Sequence, residues 1–164
     1  MKMLKTVITL MVMMAASLPL FAEDEETIKV VYQCDFPDVK RVHLMLNTLN
    51  NAVKYYQDNF IDYEINIVTL GPCLQYMMKD FEETGFREMP YLTHGGPAEN
   101  GTTGRFKSLK MTGGDNIKFF ACKNTMNKKN VKPQQLLDIV KTTPAGIIKA
   151  IELQRQGYSY IKIQ

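Results

Sequence analysis

The chain has 164 residues, 45% of them hydrophobic, which is enough to bury one core of ordinary domain size. Its formal net charge is only +3, and its lysines are spread along the chain rather than gathered into a basic run, so nothing in it suggests nucleic-acid binding.

Residues 1–22 place Lys2 and Lys5 before an apolar run, followed by Ser17-Leu18-Pro19-Leu20-Phe21-Ala22 and then the acidic Glu23-Asp24-Glu25-Glu26. This order reads as a secretory signal peptide cut after Ala22, leaving one mature domain at residues 23–164. The apolar run is shorter than the roughly 20 residues a transmembrane helix needs. No cysteine follows it closely, as a lipoprotein would require. The expectation is a periplasmic protein that is soluble and free of the membrane after cleavage, and close to neutral once the two leader lysines are removed.

The mature chain opens with Ile28-Lys29-Val30-Val31-Tyr32-Gln33, a β-branched run suited to a strand, which Cys34-Asp35-Phe36-Pro37-Asp38 breaks. Over residues 39–57, Val42, Leu46, Leu49, Val53 and Tyr56 recur at intervals of three and four, the period of an amphipathic helix. Residues 64–70 form a second apolar strand, ended by Gly71-Pro72, and residues 74–83 read as another helix. Alternating strands and helices call for a mainly parallel sheet covered by helices. From 85 to 114 the pattern weakens. The glycine-rich stretch 93–104 reads as an inserted loop or lid, with a short helix at 105–111 after it. A third strand ends at Cys122. Short helices are expected at 124–129 and 133–138, a short strand at 139–142, a helix at 145–156 started by Pro144, and a closing strand at 158–163.

Three cysteines remain, Cys34, Cys73 and Cys122, an odd number for an oxidising compartment. No CxxC pair exists, so a thioredoxin-type exchange motif is absent. All three fall where an expected strand ends or shortly after, which in a parallel sheet is the ligand-binding edge. Cys34 and Cys73 read as buried small hydrophobes or as partners in a mutual disulfide. Cys122 reads differently, because Asn124 and Thr125 are helix-starting residues whose free N–H groups would favour a thiolate. His43 falls inside the first helix, and His94 lies in the glycine-rich loop, where it can line the site. No pair of these residues has metal-ligand spacing, so neither a metal nor a cofactor is expected. No GxSxG, HExxH, GxGxxG or GxxxxGK pattern occurs.

Four stretches carry a resemblance: Lys29-Val30-Val31-Tyr32, Ile67-Val68-Thr69-Leu70-Gly71-Pro72, Ala121-Cys122-Lys123-Asn124-Thr125-Met126, and the tail from Pro144-Ala145-Gly146 to Gln156-Gly157-Tyr158-Ser159-Tyr160-Ile161-Lys162. Through them the chain resembles the single-domain branch of the DsrE/DsrF-like sulfur-relay family. The resemblance implies a three-layer α/β/α domain, a sheet of about five strands, and assembly into small homo-oligomers. It also implies a cysteine that carries sulfane sulfur as a persulfide, at the position of Cys122, and a sulfur donor or acceptor as partner. The chain departs from most of that family in its leader and in the 93–104 segment. Two rival readings use the same sheet edge: a small-molecule or metal-binding module, and a redox sensor that pairs Cys122 with Cys34 or Cys73.

Overall fold

The computed structural model describes residues 27–88 and 101–163. The expected signal peptide and His94 lie outside them. Five strands form one sheet: β1 (Ile28–Cys34), β2 (Tyr63–Thr69), β3 (Ile117–Cys122), β4 (Val140–Thr143) and β5 (Ser159–Lys162). Their order is β4-β3-β2-β1-β5, and every pairing is parallel. A parallel pair requires a crossover between its strands, and helices supply most of these.

The longest crossover is helix α1 (Val39–Asp58), which starts where the Asp38 carboxylate accepts the Arg41 N–H at 2.8 Å. Its period turns Val42, Met45, Leu46, Leu49 and Val53 into the core, each contributing roughly 1.5–3 kcal/mol by burial. Helix α2 (Thr102–Gly113) packs beside α1 on the same face of the sheet. The Arg105 guanidinium joins the two, 2.6 Å from Asn47 Oδ1 and 2.7 Å from His43 Nδ1. His43 is thus a rim residue between two helices. Below them, Phe106 meets Phe119 of β3 edge to face at 5.6 Å.

The opposite face carries helix α4 (Gly146–Arg155), which reaches across β1, β2, β3 and β5. Here Leu153 packs with Val31, Val68 and Tyr158 in a second, smaller core. The domain therefore has three layers, as expected. A short helix α3 (Lys123–Lys128) follows β3 at the sheet's carboxyl edge.

The closing tail is structural. Tyr160 donates to Gln33 Oε1 at 2.8 Å, Lys162 donates to Asp35 at 2.8 Å, and the Tyr158 hydroxyl bonds Glu64. These contacts stitch β5 to its neighbour β1 and tie the loop before it to β2.

Three sequence expectations are corrected. The helix at 74–83 is instead a 3-10 run at Gly71–Met77, because residues beyond it are drawn into pairing with a distant segment. Leu137 N–H donates to Met77 O and Lys79 N–H to Gln135 O, both at 2.8 Å, and Met78 bridges Leu136. Those backbone groups cannot also close helical turns. A helix at 133–138 likewise shrinks to a 3-10 turn at Pro133–Gln135. Helix α2 begins at Thr102, inside the stretch read as loop, after Gly101 turns the chain with φ +77°.

Candidate functional site

β3 delivers Cys122 to the carboxyl edge of the sheet. Alternation along the strand turns Ile117, Phe119 and Ala121 toward α1 and α2, and so turns Cys122 toward α4. Cys122 is the N-cap of α3, with φ −73° and ψ 115°. It is free and only 5% exposed.

The Gly146 N–H, at the first turn of α4, donates to Cys122 Sγ at 3.2 Å. A side chain at Gly146 would be tight: a Cβ there would lie 3.2 Å from both Cys122 Cβ and Leu70 Cβ, so its neighbours would have to give by a few tenths of an ångström. Glycine lets the backbone of α4 come close enough to hand its N–H to the sulfur. No cap hydrogen bond closes from Sγ back to the α3 backbone, yet the Thr125 and Asn124 N–H groups and the Thr125 hydroxyl all favour its anion. Burial pushes the Cys122 thiol up; the N–H of Gly146, then Thr125 and Asn124, outweigh it and hold the thiol below its ordinary value. The stabilisation comes from neutral dipoles rather than from a cation.

Thr125 is fixed in turn. Its Oγ1 accepts the Gly71 N–H at 2.9 Å, linking the start of α3 to the 3-10 run after β2. Asn124 is exposed and contributes through its backbone.

The other two cysteines form a disulfide, Cys34–Cys73, with Cα atoms 5.6 Å apart. Both are fully buried, within the core on the α1 side. All three sulfurs therefore belong to one edge of the sheet but to opposite faces of it. Cys34 pairs in register with Thr69, which pairs with Ala121, so Cys34 and Cys122 stand on strands two apart. That spacing is about 9–10 Å, beyond the roughly 7 Å Cα limit of a disulfide. In this fold Cys34 is thus out of disulfide reach of Cys122, and Cys73 is already bonded to Cys34.

Beside α3 a cleft of about 470 Å³ is lined by Gly71, Pro72, Phe86, Asn124, Thr125, Lys128 and Lys129. It shares Asn124 and Thr125 with the thiol, while Cys122 does not line it. Among the described residues, no three of His, Cys, Asp and Glu gather to hold a metal ion, and no helix is long and apolar enough to cross a membrane.

Sequence reasoning missed Gly146 and Gly71 as contributors to the site. The signals were Pro144-Ala145-Gly146 and Gly71-Pro72, each readable as a turn, neither revealing which distant residue it would meet.

The fold and site define a three-layer α/β protein with one free thiol at the carboxyl edge of a parallel sheet. The family model described as DsrE/DsrF-like matches residues 40–163, and the chain belongs to that family. Membership points to a function of sulfur-relay type, exercised with partner proteins. No curated protein matches the chain. Among solved structures, a protein of unknown function from Methanobacterium thermoautotrophicum is similar at 21% identity and TM-score 0.60, over 82% of this chain and 98% of that one. At that identity the likeness bears on the fold.

Proposed function

We propose that this protein is an exported, periplasmic sulfur-relay protein that carries sulfane sulfur as a persulfide on Cys122. It acts as a carrier that hands sulfur on, between a donor and an acceptor that are proteins or small thiols. The observation that carries this reading is the single free thiol held among N–H donors at the sheet edge while the other two cysteines are locked together.

The chemistry follows from a stabilised thiolate. Cys122 S⁻ attacks the outer sulfur of a donor R–S–SH, the donor S–S bond breaks, and RS⁻ leaves with the electron pair. An acceptor thiolate then attacks the outer sulfur of the Cys122 persulfide, which returns Cys122 as a thiolate. The surrounding N–H groups suit either anion, thiolate or persulfide.

The test is mass spectrometry of the protein before and after exposure to a polysulfide donor. A gain of one sulfur on the peptide containing Cys122, lost in Cys122→Ser, is the expected result. An unchanged mass, or loading that survives the substitution, would sink the reading. The cleft beside α3 favours a second reading, a small-molecule-binding module. Native mass spectrometry separates the two, since a retained organic ligand with no sulfur gain supports the module. The homo-oligomer implied by the family belongs to the same proposal, and a monomer by light scattering at micromolar concentration would remove it.

A further inference from the structure

The Cys34–Cys73 disulfide lies on the wrong face of the sheet to react with Cys122, but it is joined to that thiol by a short chain of fixed contacts. Cys34 holds the segment after β2 at two points. Its carbonyl accepts the Leu70 N–H at 3.0 Å, continuing the β1–β2 ladder. Its sulfur is bonded to Cys73, three residues further on. Gly71 and Pro72 are thus strung between two anchors on one residue. Proline fixes one φ of this bridge; Gly71, at φ +54°, makes the turn that a residue with a side chain would resist.

The bridge presents the Gly71 N–H to Thr125 Oγ1 at 2.9 Å. A hydroxyl that accepts a hydrogen bond in a fixed direction still has its own proton to give. Thr125 stands in the first turn of the helix that Cys122 caps, and its hydroxyl and backbone N–H both favour the Cys122 anion.

We propose that the Cys34–Cys73 disulfide is a remote positioning device for Cys122, acting through Gly71 and Thr125. Thr125 is the positioning residue at the thiol, and the disulfide sets where its hydroxyl can point. This rests on Cys122 being the reactive thiol. Opening the disulfide with a dithiol reductant transfers two electrons and two protons to Cys34 and Cys73 and oxidises the dithiol to its own disulfide. The second anchor is then lost, the Gly71–Pro72 bridge can swing, and the thiolate loses a donor. The protein would be most reactive when that disulfide is closed.

Charged groups on the elements around the thiol leave room for this control. Lys123 and Lys128 of α3, Lys118 of β3, Lys141 of β4, and Lys149 and Arg155 of α4 are cations on neighbouring elements, with Lys149 Nζ 4.9 Å from the Phe120 ring. The acids are Glu64, at the far end of β2, and Glu152, further along α4. None of these charges figures among the main influences on the thiol, which are burial and hydrogen-bond donors.

The experiment measures the rate at which iodoacetamide alkylates Cys122, mapped by peptide mass, across a pH series. Thr125→Val should move the midpoint upward by about half a pH unit, the scale expected for one lost hydrogen bond, and slow alkylation at pH 7 by about threefold. Thr125→Ser, which keeps the hydroxyl, should restore it. The double variant Cys34→Ala/Cys73→Ala should shift the midpoint in the same direction, and adding Thr125→Val to it should cause little further change. Additive shifts, or a folded double variant with the parent profile, would overturn the proposal. Should the double variant fail to fold, an unshifted Thr125→Val would overturn it equally. Because alkylation is read without any sulfur donor, these outcomes stand apart from whether Cys122 loads sulfur.

Discussion

The Gly146 N–H lies 3.2 Å from Cys122 Sγ, joining the first turn of α4 to the last residue of β3 across a sequence separation of 24. A Cβ on Gly146 would also press on Val68 Cγ1 at 3.4 Å.

Gly146→Ala should therefore act on stability and reactivity together. Its three contacts at 3.2–3.4 Å require the start of α4 or its neighbours to give by a few tenths of an ångström, and the expected cost is roughly 1–3 kcal/mol, as for other overpacked sites. The same displacement stretches the N–H bond to sulfur, so Cys122 should alkylate more slowly at neutral pH. Urea unfolding and an alkylation pH profile check the two effects; a variant with the parent profile in both would refute the role given to this glycine.

The depressed Cys122 thiol has a consequence for stability with a definite sign. An acid whose folded value lies below its unfolded one stabilises the fold above the unfolded value, and the contribution is lost as pH falls through the folded value. Between those two points the parent should gain stability relative to Cys122→Ala as pH rises toward the ordinary thiol value of 9.0, above which the gain levels off. Paired urea titrations at pH 7 and pH 9 read the difference. A gap that stays constant or narrows would contradict the thiolate assignment.

Removing the disulfide should cost more than either change at the site. It closes a loop of sequence separation 39, which in the chain-entropy account corresponds to roughly 3–4 kcal/mol. Cys34→Ala/Cys73→Ala should lower the thermal midpoint by several degrees, measured by calorimetry against the oxidised parent. A midpoint unchanged within error would mean that the bridge adds nothing to the fold.

Export is tested by fractionation. A mature form that begins at Glu23 and is recovered from the periplasm is the expected outcome, and N-terminal sequencing of the purified protein checks it. Full-length protein in the cytoplasm would count against the secretory reading and remove the oxidising environment that the disulfide calls for.

Much of the architecture was legible because it is written in local periods. The β-branched run at Ile28 and the three-and-four spacing from Val42 to Val53 lie within single elements; the first marks a strand buried on both faces, the second the buried face of a helix. Alternation of such elements is enough to call for a parallel sheet. Cys122 could be singled out for the same reason, since helix-starting residues follow it directly. What local reading could not supply was any feature made by partners remote in sequence. The pairing of residues 77–79 with 135–137 replaced an expected helix, and nothing within 74–83 announces it.

The sequence by itself thus determined the five strands, the two long flanking helices, their order, the likeness to a sulfur-relay family and the thiol worth watching. Only the tertiary structure decided which cysteines pair, which face of the sheet each sulfur occupies and which backbone reaches Cys122. The strand order β4-β3-β2-β1-β5 carries α4 back over β1, β2 and β3, so that Gly146 meets a residue 24 positions before it. Period and propensity act over a few residues, whereas a donor at hydrogen-bond distance depends on how whole layers stack.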